Sequence, residues 1–171
     1  MMKKYLIAGL VLSLFFSPVQ AQVKKLTFSA GPEVGFVADF NNLLWGFGIG
    51  GTAQVEFSLK NKINGTATAG FITYFGKSTG VGVKAKNVSV VPVRVGGRYY
   101  VSPQFYLGAQ VGFGFMNFAG TSRTKFAYSP QVGYKFNTNN GKAIDASLKM
   151  DGYAGDGGTF NTVGLRVALE F

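Results

Sequence analysis

Residues 45–59 change character at every step. Trp45, Phe47, Ile49, Gly51, Ala53, Val55, Phe57 and Leu59 alternate with Gly46, Gly48, Gly50, Thr52, Gln54, Glu56 and Ser58. In an extended chain these two sets point to opposite faces, one greasy and one tiny or polar. The same two-residue period returns in residues 104–118, where Phe105, Leu107, Ala109, Val111, Phe113 and Phe115 hold one face, and in residues 162–171. No convincing stretch carries the 3.6-residue period of an amphipathic helix, and none after Gln22 is long and apolar enough for a spanning helix.

Counting such runs predicts eight strands, over residues 25–39, 45–59, 65–76, 88–101, 104–118, 124–137, 143–154 and 159–171. The gaps carry turn chemistry: 61–65 (Asn-Lys-Ile-Asn-Gly), Ser102-Pro103 and 137–141 (Asn-Thr-Asn-Asn-Gly), with Asn-Gly pairs suited to positive φ. The remaining links fall at 41–44, 77–87, 119–123 and 155–158. They are short enough that one domain is expected over Gln22–Phe171.

A soluble sandwich also alternates, so the composition of the polar face decides. That face is mostly Gly, Ser, Thr and Gln with isolated charges, unlike a solvated surface. Small residues suit a crowded concave interior. The apolar face, continuous from strand to strand, exceeds what a soluble monomer exposes and is what lipid requires. The expected fold is all-β: an eight-stranded, antiparallel, up-and-down transmembrane β-barrel. Its aromatics form two belts. Phe28, Phe57, Tyr99, Phe105, Tyr134, Phe136 and Phe171 lie toward the chain termini, and Phe36, Trp45, Phe47, Phe75, Phe115, Phe126 and Tyr128 toward the other end.

Met1–Ala21 reads as a secretory signal peptide. Lys3 and Lys4 precede the apolar run 5–16, and Val19-Gln20-Ala21 offers small residues at −3 and −1 for cleavage before Gln22. The expected location is the outer membrane of a Gram-negative bacterium. The chain has no Cys and no His. That removes thiolate nucleophiles, Cys-ligated metal and the commonest general base and zinc ligand, so no enzyme, cofactor or metal site is expected. Gly46-x-Gly48-x-x-Gly51 matches a dinucleotide fingerprint but lies inside an alternating strand with no helix after it. The formal charge is +10, yet no nucleic-acid module is evident and no nucleic-acid partner is expected.

The run 91–108 (Val-Pro-Val-Arg-Val-Gly-Gly-Arg-Tyr-Tyr-Val-Ser-Pro-Gln-Phe-Tyr-Leu-Gly) reads as strand, tight turn and strand. With the terminal aromatic it resembles the small outer-membrane β-barrels of the OmpX and OmpA-barrel type, especially the "outer membrane protein beta-barrel domain" group common in Bacteroidota. The resemblance covers Gln22–Phe171. It implies that Leu169 and Phe171 form a C-terminal signal read by the barrel-assembly machinery.

Strand parity turns Glu33, Asp39, Glu56, Asp145, Asp151 and Glu170 inward together with Arg94, Arg98, Lys125, Lys135, Lys149 and Arg166. This is expected to be a paired lumen charge network, because an unpaired buried charge is costly. Tyr74, Tyr100 and Tyr106 would obstruct the lumen further. Lys77, Lys84, Lys86 and Arg123 make a basic loop that suits lipopolysaccharide phosphates or an acidic envelope partner. The function expected is a structural or interaction role in the cell envelope, in contact with outer-membrane lipid. The alternatives are a porin-like narrow pore for ions or small solutes, or a membrane component of a secretion or surface-assembly system.

Overall fold

A computed structural model describes residues 26–38, 45–78, 85–138, 142–155 and 158–171. Eight strands follow one another: β1 (Leu26–Val37), β2 (Trp45–Lys60), β3 (Ile63–Gly76), β4 (Val88–Tyr100), β5 (Phe105–Phe118), β6 (Thr121–Asn137), β7 (Ala143–Ala154) and β8 (Phe160–Glu170). Each pairs antiparallel with its neighbour in sequence, and β1 pairs with β8, so the sheet is a closed barrel. The seam is held by partners such as Ala30 with Leu169 and Glu33 with Arg166. At its end, Phe171 N donates to Phe28 O at 2.9 Å and Phe28 N to Phe171 O at 3.3 Å. Closure leaves no strand edge unpaired, the condition for crossing hydrocarbon.

The alternation decides which face is which. Val93, Val95, Leu107, Val111, Phe113, Leu148 and Leu165 point outward and stay exposed, whereas Thr52, Gln54, Gln110, Asp145 and Arg166 point inward and are buried. Glycine serves as a socket. The Tyr74 ring lies over Gly48, Tyr106 over Gly133 and Tyr153 over Gly114, each where a Cβ would collide, and Tyr74 also packs tightly over Gly35. On the lipid side, Phe57 covers Gly65 and Tyr128 covers Gly152 in the same way.

Two turns differ from their sequence expectation. The β2–β3 turn is only Asn61-Lys62. Asn64 and Gly65 already belong to the ladder, opposite Ser58 and Phe57. Asn64 is needed inside, where its amide donates to Glu56 Oε1 at 2.6 Å. The β5–β6 link is the two residues Ala119 and Gly120, with φ of 54° and 86°. Both lie in the left-handed region that tight hairpins demand. Thr121 therefore opens β6, and Arg123 stands in that strand opposite Met116 rather than in a loop.

Trp45 also departs from expectation. The β2–β3 register shifts between Trp45 and Gly48. Instead of joining the lipid-facing belt, Trp45 packs against the buried core of the barrel mouth. Its ring stands edge-to-face on Phe118 (5.7 Å between centroids) and Phe160 (6.0 Å), and its indole N–H donates to Lys86 O at 3.0 Å.

Candidate functional site: a filled lumen with two mouths

The start of β1, the end of β8 and the β2–β3, β4–β5 and β6–β7 junctions share one end of the barrel, the turn end. The strand ends at the β1–β2, β3–β4, β5–β6 and β7–β8 junctions share the other, the loop end. Inward-facing residues stack between the two ends in layers.

The layer nearest the turn end is ionic. Arg98 Nη1 lies 2.8 Å from Glu56 Oε2 and 2.9 Å from Asp145 Oδ2. Lys135 bridges Glu170 at 2.6 Å and Glu56 at 3.2 Å, and Arg166 reaches Asp145 at 3.3 Å. Two tyrosines finish the carboxylates: Tyr100 OH donates to Glu56 and Tyr106 OH to Asp145. The Arg98 guanidinium stacks 4.0 Å above the Tyr106 ring, a contact that strengthens when desolvated. Three acids thus meet three bases.

A second cluster lies nearer the loop end. Lys149 Nζ is 2.5 Å from Glu33 and 3.2 Å from Asp151, which also holds Arg94. Here two acids meet two bases, so each cluster is neutral by itself. A band of uncharged groups lies in the same interior. Gln110 donates to Thr66 and Thr68 at 3.0 and 2.9 Å, and Arg166 Nε donates to Thr52 at 2.7 Å. Isolated charges at such burial would be very costly. Mutual pairing is the arrangement a narrow barrel allows.

Beyond the second cluster the interior turns apolar. Ile72, Tyr74, Val88, Val90, Ala127, Tyr153 and Phe160 form one buried cluster. Phe160 is its hub, with Tyr74 at 5.2 Å and Tyr153 at 6.4 Å. The sequence reading named Tyr74 but missed Tyr153 and Phe160. The signal available was Val88 and Val90, two bulky apolar side chains at inward positions otherwise held by small or polar ones.

The layers leave a cavity at each mouth. The turn-end cavity, about 880 Å³, has Glu56, Glu170, Lys135 and Tyr100 among its walls and carries Lys62 and Lys142 on its lining. The loop-end cavity, about 390 Å³, is lined by Trp45, Phe118, Phe160, Met116, Arg123 and Lys125 among others.

Ten of the twelve residues expected in the lumen network meet in the two clusters. Lys125 does not join them. It sits at the loop-end mouth, where its ammonium donates to Gly158 O at 2.6 Å. Asp39 lies outside the described residues, as do Lys84 and the whole of Met1–Ala21. Of the expected basic loop, Lys77 and Lys86 flank the β3–β4 link and are exposed, while Arg123 projects from β6. Leu169 faces outward on β8, and Phe171 closes the seam beside it. Among the described residues, no cluster of three or more acidic side chains is arranged to hold a metal ion.

A closed antiparallel barrel with an apolar exterior and a charge-balanced, filled interior defines a small transmembrane β-barrel. Residues 7–171 match the outer membrane protein beta-barrel domain family, and the chain belongs to it. It is an outer-membrane protein of the Gram-negative type. Solved barrels share the fold. The attachment invasion locus protein Ail of Yersinia pestis superposes with a TM-score of 0.56 at 19% identity, covering 85% of this chain and 97% of that one. Neisserial surface protein A gives 0.59 at 11% identity, covering 85% and 94%. Ail in complex with the heparin analogue sucrose octasulfate gives 0.53 at 17% identity, covering 85% and 97%. No curated protein matches the chain.

Proposed function

We propose that the protein is a non-conducting, non-enzymatic barrel whose role in the cell envelope is interaction, carried out at its loop-end rim. The observation that carries this reading is the filled lumen. Two neutral ionic clusters and an aromatic layer stand in series between the mouths, where a solute path would need water. An eight-stranded interior is just wide enough for such side chains.

The longer links gather at one end, as the extracellular loops of outer-membrane barrels do. With the termini then periplasmic, Lys77, Lys84, Lys86 and Arg123 would face outward toward lipopolysaccharide phosphates or an acidic partner. That a barrel of similar fold was crystallised with a sulfated sugar is in keeping with a polyanion at such a rim. Export would follow cleavage after Ala21, and Leu169 with Phe171 would be read by the barrel-assembly machinery.

Two measurements test the reading. Purified, refolded protein in a planar bilayer is expected to give no current steps; steady openings would overturn it in favour of the narrow pore. Cross-linking in intact cells from a photoreactive residue at position 77 is expected to trap lipopolysaccharide or a reproducible envelope protein. Equal capture from position 62, at the turn end, would remove the rim from the argument.

A further inference from the structure

The loop-end cavity has a two-part chemistry that the rest of the lumen lacks. Its floor is the aromatic layer: Trp45 stands on Phe118 and Phe160, and Met116 packs beside them. Its wall carries Arg123 and Lys125, two positions apart on β6 and therefore on the same face. No carboxylate is among the described residues lining it. The Lys77 stem lies over Gly46, the residue after Trp45, where a Cβ would meet it. Two features fix the shape. The Trp45 N–H is bound to Lys86 O, which holds the indole in the mouth. Lys125 is held to Gly158 O, which fixes its ammonium at the exposed rim. At about 390 Å³ the space suits a small organic molecule.

We propose that this cavity binds a small organic anion. Its ring or apolar body lies against Trp45, Phe118 and Phe160, and its carboxylate, sulfate or phosphate lies between Arg123 and Lys125. Charge-assisted hydrogen bonds from a guanidinium and an ammonium orient the acid group, while the aromatic floor supplies the buried area. This inference rests on the reading of the loop-end rim as a contact surface, and it names the ligand class that the rim admits. The anion can be the head of a membrane lipid or a free solute; both present the same chemistry to the two cations.

Trp45 is the only tryptophan in the chain, so its fluorescence reports this cavity and nothing else. The refolded full chain in zwitterionic nanodiscs is titrated with 4-nitrobenzenesulfonate and, in parallel, with the uncharged 4-nitrobenzenesulfonamide. The expected result is saturable quenching by the sulfonate, at least tenfold tighter than by the sulfonamide. Arg123→Gln with Lys125→Gln should weaken the sulfonate about tenfold or more, as losing hydrogen bonds to a charged group does. Lys62→Gln with Lys142→Gln, at the turn end, should leave it unchanged. Unboiled migration on a detergent gel confirms that each variant is folded. Linear, non-saturating quenching, equal affinity for the two probes, or indifference to the β6 double variant would each overturn the proposal. Repeating the titration with lipopolysaccharide in the nanodisc separates the sources. Loss of probe binding identifies a lipid headgroup as occupant, and retention identifies a soluble anion. Failure here with a silent bilayer removes the cavity ligand alone. Current steps with intact probe binding remove the non-conducting reading alone.

Discussion

Gly133 faces the lumen directly across the β5–β6 ladder from Tyr106, and the tyrosine ring occupies the place where a side chain at 133 would begin. A Cβ there would stand 2.2 Å from the ring. Tyr106 cannot swing aside, because it is fully buried, donates to Asp145 and lies under Arg98. Gly133→Ala is therefore expected to destabilise the barrel by about 1–3 kcal/mol through overpacking. Gly51→Ala, on the lipid face with its nearest neighbour 3.6 Å away, should be close to neutral. Urea titration of both variants in lipid vesicles checks the contrast; equal stability would mean that the ring is free to move.

Glu33 has one ionic partner among the described residues, Lys149. Lys149→Met leaves that carboxylate buried without it and should cost about 3–5 kcal/mol. Asp151 is affected less, since Arg94 still holds it. Adding Glu33→Met to Lys149→Met restores neutrality to the cluster and should recover most of the loss. A double-mutant cycle by urea unfolding measures the coupling, and strictly additive effects would show that the pair is not coupled.

Val111 stands at mid-strand on the outer face of β5, and Ile63 at the first position of β3. Val111→Lys should cost about 2–4 kcal/mol in a bilayer, and Ile63→Lys about 0–1 kcal/mol. Refolding titrations in vesicles give both numbers. The reverse order would contradict the depth assigned to these positions.

Ala119 takes φ 54° ahead of Gly120 at 86°. A left-handed conformation strains any side chain with a Cβ, and Asn tolerates it better than Ala. Ala119→Asn, which creates the favoured Asn-Gly pair, should raise stability by about 1 kcal/mol. A lower urea midpoint than that of the parent chain would argue against this turn geometry.

The period of two was enough to read the closed sheet, its lipid face and the inward set of charges. Parity needs nothing beyond the order of residues. What parity cannot carry is azimuth and register. Asp145 and Arg98 were both assigned to the inner face, but their meeting depends on how far each strand is staggered, which is set by closure. Trp45 was misplaced for a related reason: a single register shift beside Gly48 turns one side chain from lipid to mouth, and no alternation records it. The β5–β6 hairpin is shorter than its sequence suggests because its first turn residue is Ala rather than the Asn or Gly that such turns prefer. Asn64-Gly65 misled in the opposite sense. It carries a turn signature but is used for a lumen hydrogen bond and for a phenyl socket.

The ion pairs of the lumen join strands far apart in the chain. Lys149 on β7 meets Glu33 on β1, and Lys135 on β6 meets Glu56 on β2. A half-built sheet would therefore present a row of bare charges on its concave side, which hydrocarbon rejects. Those pairs form only when β7 has come round to β1 and β6 has come across to β2. Membrane entry and curling are therefore expected to be one event for this chain, since any unfinished barrel carries its own bar to passage.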